Sequence, residues 1–275
     1  MLWSAMAARA ISFLSDYGLS DEFVGVVHGV IAGICPEARV IDLGHGIPRH
    51  DVQAGALALV RALPYVPAGV HLAVVDPEVG ARRRAVALRT ADEDRLLVGP
   101  DNGLLIPAAE RFGGVAEAVE ISSSPWRLEP VSATFHGRDV FAPVAARLAC
   151  GAPLASAGEP VEVGELMVLV RSEPRQEEDS LVVHVVGTDT FGNAMLDAAH
   201  DDLMGSGLRL GDPVAARAGG RRVRGVVART FSDVGSGDLL VYEDAGGSLA
   251  LAVNGGDAAA LLGLRPGDEV RLERA

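Results

Sequence analysis

The chain has 275 residues, of which 49% are hydrophobic and only 4% are aromatic, and its formal net charge at pH 7 is −13. This length allows two domains with separate cores, which must be built from aliphatic side chains. The negative charge opposes binding to nucleic acid and to anionic membranes. All 24 basic residues are Arg, so the absence of Lys excludes Schiff-base chemistry, pyridoxal phosphate attachment and a P-loop.

The cysteines and histidines predict no metal site. Cys35 and Cys150 are far apart and form no CxxC motif, which indicates reduced, buried thiols, and the seven histidines show neither HxH nor HExxH spacing. No GxSxG motif of a serine hydrolase is present. The first eleven residues hold no apolar stretch long enough for a signal peptide or a membrane span. We therefore expect a cytoplasmic protein without metal or cofactor.

The first half of the chain alternates short apolar runs with helical periodicities. Strands are predicted at 10–14, 39–43, 70–75, 85–88 and 96–98. Helices are predicted from Asp21 to about Ile34, from an N-cap at Asp51 to about Leu63, and over 141–149. Strands that alternate with helices predict an α/β domain, 9–155, with a mostly parallel sheet flanked by helices.

The composition changes after residue 152, where Gly, Pro, Ser and Glu accumulate. This change predicts a linker region over 156–180. Apolar runs between Gly- and Asp-rich turns then predict strands at 181–186, 223–227, 239–242, 249–253 and 269–272. We expect a smaller, mainly β C-terminal domain over 181–275.

Two carboxylates follow predicted strands of the first domain. Asp16 comes after the first strand and Asp76 after the third, so both are expected at the edge where ligands of parallel sheets bind. Gly44-His45-Gly46 is followed by Ile-Pro-Arg rather than by a helix, which does not indicate dinucleotide binding.

A charged pair is expected next to the second of these carboxylates. Pro77 and Gly80 form a turn after Asp76, and Arg83 returns on the next strand, where it can face the carboxylate. An Asp–Arg pair of this kind commonly has only the structural role of stabilising the turn between the two residues. The imidazole of His136 would add a group that orients or deprotonates water.

Five motifs in register make the chain resemble the S-adenosyl-L-methionine (SAM) hydroxide adenosyltransferases, relatives of the fluorinases and chlorinases. The motifs span nearly the whole chain and are Ser15-Asp16-Tyr17-Gly18, Val74-Val75-Asp76-Pro77-Glu78-Val79-Gly80, Gly99-Pro100-Asp101-Asn102-Gly103, Thr134-Phe135-His136-Gly137-Arg138-Asp139 and Phe191-Gly192-Asn193. Two departures are Glu78, where many relatives have Gly, and Ala245, where related enzymes present Ser to the methionine.

The resemblance implies hydrolysis of SAM to adenosine and methionine. It implies that Asp76, Arg83 and His136 hold and polarise water or hydroxide, and that Asp16 takes the ribose hydroxyls. It implies homotrimers with substrate held between the first domain of one subunit and the second domain of its neighbour. Further substrate-binding residues implied by the resemblance are Tyr17, Asp101, Asn102, Asp189, Phe191, Asn193 and Phe231, the last, within Thr230-Phe231-Ser232-Asp233, as the aromatic that stacks on adenine.

Several alternatives remain open at this stage. A halide-dependent synthase of 5′-halo-adenosine would lack the acid, guanidinium and imidazole set, and a binding protein would keep the nucleoside pocket without turnover. A metal hydrolase would need clustered histidines. For single residues, Asp16 can be a helix N-cap, Asp189 part of a β-turn, and Phe231 a core side chain.

Overall fold

A computed structural model of the protein describes residues 8–170 and 172–275. The chain divides into two compact units, and the division falls between Leu169 and Val170. Among the described residues, no helix has the length and apolar character needed to cross a membrane.

Within residues 8–170, seven strands form the sheet of the first unit. They are β1 (Ile11–Ser15), β2 (Val40–Gly44), β3 (Val70–Val74), β4 (Ala85–Thr90), β5 (Leu96–Pro100), β6 (Val115–Glu120) and β7 (Glu159–Pro160), in the spatial order β2-β1-β3-β5-β4-β6-β7. The first four strands of this order run parallel, and the remaining pairings are antiparallel. The sheet is therefore mixed, with its parallel half carrying Asp16 and Asp76.

Helices cover both faces of this sheet. They are α1 (Phe23–Ile34), α2 (Val52–Ala62), α3 (Ile106–Arg111) and α4 (Ala142–Ala149). Successive strand residues point to opposite faces, so Phe13 joins the core under α1 and α4, whereas Leu14 joins the core under α2 and α3. Both cores are mostly aliphatic, as the low aromatic content requires. The predicted α/β class is confirmed.

The predicted helices occur with small shifts at their ends. Asp51 caps α2 by accepting a hydrogen bond from the Ala54 amide at 2.9 Å, as predicted. Helix α1 begins at Phe23 without a side-chain cap. A π-helical turn, Gly137–Phe141, precedes α4, so the helical path starts directly after His136.

The two cysteines correct one expectation. Cys35 and Cys150 form a disulfide, so the prediction of reduced thiols was wrong. The two residues follow α1 and α4, which pack side by side and bring Cα atoms 115 residues apart in sequence to 5.9 Å. Sequence spacing alone cannot reveal such a pairing.

The second unit is mainly β, as predicted. Its strands are β8 (Arg175–Glu177), β9 (Ser180–Thr188), β10 (Ala194–Ala199), β11 (Pro213–Ala218), β12 (Arg221–Val227), β13 (Leu239–Glu243), β14 (Ser248–Val253) and β15 (Glu269–Arg274). The order is β10-β14-β13-β12-β11-β15-β9-β8, and an additional β9–β10 pairing closes a barrel. Two short helices, α5 (His200–Gly205) and α6 (Ala258–Leu262), accompany it.

The stretch 156–180, expected as a linker, contributes to both units. Strand β7 pairs with β6 in the first sheet, and Leu166 is buried in the core of the first unit. Strand β8 pairs with β9 in the barrel.

Candidate active site

Three neighbouring parallel strands of the first unit end in polar residues. Asp16 follows β1, Asp76 lies two residues beyond β3, and Asp101 follows β5. The strands are adjacent in the order β1-β3-β5, and the Asp16 amide donates to the Val74 carbonyl at 3.3 Å. The predicted edge with Asp16 and Asp76 is therefore formed by direct neighbours.

Asp76, Arg83 and His136 converge in the first unit. Arg83 Nε donates to both carboxylate oxygens of Asp76, at 2.9 and 3.1 Å, and Arg83 Nη2 also donates to that carboxylate. Arg83 Nη2 lies 3.0 Å from His136 Nδ1. Only 4% of the Arg83 side chain and 5% of the Asp76 side chain are exposed, so the pair is almost wholly desolvated.

Local structure holds these three residues in place. The Val79 amide donates to the Asp76 carbonyl, and Gly80 closes the turn with a φ of 78°. A β-carbon at Gly80 would overlap the Ala133 carbonyl, so only glycine lets this turn approach the segment that leads to His136. The Arg83 guanidinium lies 5.2 Å from the ring centroid of Phe141, in the π-helical turn.

The electrostatics of the set keep His136 neutral. Burial and the neighbouring Arg83 guanidinium lower the pKa of His136 below its usual 6.5, against the opposite effects of Asp76 and Asp139. Asp139 itself is buried and accepts hydrogen bonds from Arg138 and from the Ser132 amide, so it holds the segment around His136.

Tyr17 follows Asp16 in sequence and contacts the segment that contains His136. Its ring packs edge-on against Phe135, with the centroids 5.8 Å apart, and a β-carbon at Gly137 would overlap its hydroxyl. Burial raises the pKa of Tyr17, and the carboxylates of Asp16 and Asp76 raise it further, so the phenol stays protonated. Tyr17 therefore offers a neutral hydroxyl beside the residue that follows His136.

One carboxylate oxygen of Asp16 accepts a hydrogen bond within the protein. Its Oδ2 accepts a hydrogen bond from the His50 amide at 3.0 Å, and Oδ1 accepts none from the described residues. Asp16 does not cap α1, whose N-cap is Glu22. The alternative interpretation of Asp16 as an N-cap is therefore wrong for this helix.

Asp101 and Asn102 have their polar groups engaged within the first unit. Asp101 accepts hydrogen bonds from Arg84 Nε and from the Met167 amide, at 2.9 and 2.8 Å. Asn102 donates to the Val75 carbonyl at 2.9 Å and accepts from the Leu104 amide. These bonds support the loops on either side of Asp76, and a direct role in substrate binding stays a prediction.

In the second unit, Asp189, Phe191 and Asn193 form one turn between β9 and β10. Asp189 Oδ1 accepts from the amides of Phe191 and Asn193, and Asp189 Oδ2 accepts from Asn193 Nδ2 at 2.8 Å. Asn193 is buried, whereas the Phe191 side chain is 77% exposed. Asp189 thus shapes a turn that carries an exposed aromatic ring.

Phe231 lies elsewhere in the second unit, at the start of the short 3₁₀ turn Phe231–Asp233. Its ring packs against Tyr242 with the centroids 5.3 Å apart, and 38% of the residue is exposed. It is therefore not a buried core side chain. Ala245 is exposed in the β13–β14 hairpin, where Asp244 accepts from the amides of Gly246 and Ser248.

Three contributors to the site were missed by the sequence analysis. They are Phe141 under the guanidinium, Gly137 beside the Tyr17 hydroxyl and Ser15 at the end of β1. Gly137 and Ser15 lie inside quoted motifs, so their positions were visible, but no periodic pattern marks a π-helical turn. Among the described residues, the group spaced to hold a metal is Cys35, Glu37 and Cys150, and two of these are joined as a disulfide.

Comparison with known proteins identifies the family of the chain. Residues 11–158 match the model of the SAM hydroxide adenosyltransferase N-terminal domain, and residues 183–271 match that of the C-terminal domain. An (R)-S-adenosyl-L-methionine hydrolase of Salinispora tropica is 52% identical over 262 residues, which cover 95% of this chain and 97% of the relative. A fluorinase of Nocardia brasiliensis is 29% identical over 289 residues, which cover 96% of each.

A solved structure shows the same fold. The crystal structure of an uncharacterized conserved protein from Thermotoga maritima has a TM-score of 0.90 and 39% sequence identity, covering 96% of this chain and 100% of that one. The fold, the buried pair of acid and guanidinium and the half-buried imidazole beside them define an α/β protein with a second, β-barrel unit and a compact polar site. The chain belongs to the SAM hydroxide adenosyltransferase family.

Proposed function

We propose that this protein hydrolyses S-adenosyl-L-methionine to adenosine and L-methionine. Water or hydroxide attacks C5′ in line with the C5′–S bond, whose electron pair passes to sulfur. Attack by water releases one proton to solvent, whereas for hydroxide that proton has already left when the water ionised. The observation that carries the proposal is the convergence of Asp76, Arg83 and His136, with Arg83 bonded to both partners. The Salinispora relative, 52% identical, carries the same activity in its name.

The hydrogen bond between Arg83 and His136 fixes the tautomer of the imidazole. A guanidinium can only donate, so His136 Nδ1 accepts and the proton of the neutral ring lies on Nε2. An Nε2–H group can donate to an oxygen but cannot take a proton from it. This geometry supports a role of His136 in holding hydroxide rather than acting as a general base through Nε2.

Arg83 provides a second donor. Its Nε and Nη2 are engaged by Asp76 and His136, and Nη1 makes no hydrogen bond within the described residues. We infer that Nη1 and the Nε2–H of His136 hold the attacking oxygen. Asp76 then keeps the guanidinium oriented and neutralises its charge, so that the site does not repel the sulfonium of the substrate.

The leaving group explains why no metal or cofactor is required in this proposal. The sulfonium loses its positive charge as the C5′–S bond breaks, so it needs neither protonation nor a Lewis acid. Activity is accordingly expected to persist after treatment with a chelator.

The substrate contacts that we propose follow the family motifs. Asp16 takes the ribose hydroxyls through Oδ1, which no described residue occupies. Tyr17 offers a neutral hydroxyl, and Asp101 and Asn102 shape the loop. Phe231 stacks on adenine, while the Asp189 turn with Phe191 and Asn193 meets the amino-acid end.

We propose a homotrimer in which the second unit of a neighbouring subunit completes each site. Exposed apolar side chains support an assembly, since Leu19 in the first unit and Phe191 in the second are 78% and 77% exposed. Light scattering would give the mass. Mixed trimers of Asp16→Ala and Phe231→Ala chains should regain part of the activity if each site uses both chains.

We also propose the cytoplasm as the place of action and the (R) configuration at sulfur as the preferred epimer. The epimer follows from the name of the Salinispora relative.

One experiment tests the central proposal. The protein is incubated with each SAM epimer in ¹⁸O-water, and mass spectrometry follows the label. We expect labelled adenosine, formed faster from the (R) epimer, and no 5′-halo-adenosine with added chloride. His136→Ala should lower kcat by about a hundredfold or more. Unlabelled adenosine, or no turnover of either epimer, would refute the proposal.

A further inference from the structure

The Gly44-His45-Gly46 sequence begins at the last residue of β2 and continues into the loop toward α2, and the proposed mechanism does not use it. Strands β1 and β2 are parallel neighbours, so the loops that leave their carboxyl ends lie side by side. The loop after β1 carries Asp16. Residues of the β2–α2 loop are therefore placed to act on the orientation of this carboxylate.

Three contacts connect the two loops. The buried ring of His45 is bonded through Nδ1 to Ser15 Oγ at 2.8 Å. The His45 carbonyl accepts from the Gly18 amide at 2.7 Å. The His50 amide donates to Asp16 Oδ2 at 3.0 Å. The contacts thus reach Asp16 itself and the residues on both sides of it.

The polar groups around His45 form a consistent sequence of donors and acceptors. Ser15 Oγ accepts from the Tyr17 amide at 3.4 Å and can donate its own proton to His45 Nδ1. With Nδ1 accepting from Ser15, the ring proton lies on Nε2, 3.0 Å from Asp42 Oδ1. This Nε2–H is not aligned for a hydrogen bond, so the contact with Asp42 is electrostatic.

Packing against Phe13 also holds the His45 ring in this position. The His45 ring lies 4.6 Å from that of Phe13, centroid to centroid, on β1. His28 binds the same Asp42 oxygen at 2.9 Å from the outer side, where its side chain is 36% exposed. Within the described part of the chain, no hydrogen bond, ion pair or ring contact joins His28 to Asp16.

We propose that His45 is a positioning residue for ribose recognition: through Ser15 and Gly18 it holds the turn that aims Asp16 at the ribose hydroxyls of the substrate. The inference rests on the proposed function, because it takes Asp16 as the ribose ligand. It adds a role for a buried imidazole that does not touch the substrate.

The test uses variants of His45 whose side-chain amide replaces one ring nitrogen at a time, either Nδ1 or Nε2. In His45→Asn the side-chain amide stands where Nδ1 stands, so the bond to Ser15 is kept. In His45→Gln the amide reaches the Nε2 position and the bond to Ser15 is lost. Ser15→Ala removes the same bond from the other side with little change in volume. His28→Ala is the matched control, since it removes the second imidazole on Asp42.

The ligands are adenosine and 2′,3′-dideoxyadenosine, measured by calorimetry alongside kcat and KM for SAM. In His45→Gln and Ser15→Ala, we expect the Kd of adenosine to rise about fivefold, the effect of one lost hydrogen bond. The Kd of dideoxyadenosine should stay unchanged, because it has no ribose hydroxyls. KM should rise with little change in kcat. His45→Asn and His28→Ala should behave as wild type.

Three results would overturn the inference. They are an unchanged Kd of adenosine in Ser15→Ala and His45→Gln, an equal loss for both nucleosides, and a wild type that does not distinguish the two nucleosides. In each case, labelled adenosine from the wild type would still support hydrolysis. Ser15→Ala keeps the test valid if His45→Gln does not fold.

Discussion

The disulfide between Cys35 and Cys150 joins the C-terminal ends of two helices whose N-terminal ends carry the candidate site. Helix α1 begins after the turn with Asp16, and α4 continues the helical path that starts after His136. A covalent bond at the far ends therefore restrains the two parts of the site that come from distant stretches of the chain.

Reduction of this disulfide should lower the melting temperature. The bond closes a loop of 115 residues, and removing a bond of this kind typically costs about 2–5 kcal/mol. Thermal melts with and without reductant measure the effect. A Cys35→Ala, Cys150→Ala variant should melt at the lower temperature in both buffers. A reductant effect that persists in this variant would contradict the prediction.

Asp76→Asn should destabilise the protein and slow turnover together. The change leaves the desolvated Arg83 guanidinium without its counter-charge, which costs about 3 kcal/mol or more. We expect a loss of kcat of about a hundredfold, because the guanidinium loses its orientation. Glu78→Gln is the control, since Glu78 is exposed in the same turn. Equal melting temperatures of the two variants would disprove the predicted loss of stability.

The activity should fall in acid below pH 6.5. Burial and Arg83 lower the pKa of His136, so the ring is neutral above its folded pKa and becomes charged as the pH falls through it. Protonation would turn Nδ1 into a donor facing the Arg83 donor and break their bond. A profile of log kcat against pH measures the midpoint. A midpoint above 6.5, or an acid limb unchanged in His136→Asn, would count against this assignment.

His71 should make the folded state sensitive to acid. Burial, and then Arg95, lower the pKa of His71 to about 3, and the ring binds Ser12 Oγ at 2.8 Å. Between about pH 3 and 6.5 the unfolded chain binds the proton and the folded chain does not. The free energy of unfolding therefore falls on acidification in this window, by up to about 1.4 kcal/mol per pH unit.

Urea unfolding at several pH values measures this slope. His71→Asn should give a shallower loss of stability between pH 6.5 and 3, because the titrating group is gone. His200→Asn is the control, since that side chain is 58% exposed. An identical slope in wild type and His71→Asn would exclude the proposed cause.

The sequence predicts the parallel half of the first sheet better than its antiparallel half. Strands β1, β3 and β5 are apolar runs with polar residues at their ends, whereas β6, over Val115–Glu120, alternates Glu with Ala and Val and was not predicted. Helix α3 has only six residues and begins with Ile-Pro, too short for a helical period to be visible.

For the site, the sequence motifs identified the three residues that the structure brings together. Asp76 and Arg83 share one turn, so their pairing follows from local spacing. His136 is 53 residues from Arg83 in sequence. The prediction that the two residues meet came from the family resemblance rather than from any local pattern. The disulfide and the His45 contacts depend on how elements pack, which the order of residues does not encode directly.

The contact between Tyr17 and Gly137 constrains how the two stretches can vary. Any side chain at position 137 would need the space that the Tyr17 hydroxyl occupies. A residue larger than glycine at 137 would therefore require the Tyr17 ring to move or to be replaced by a smaller side chain. The two positions therefore depend on each other, because a substitution at one requires an adjustment of the packing at the other.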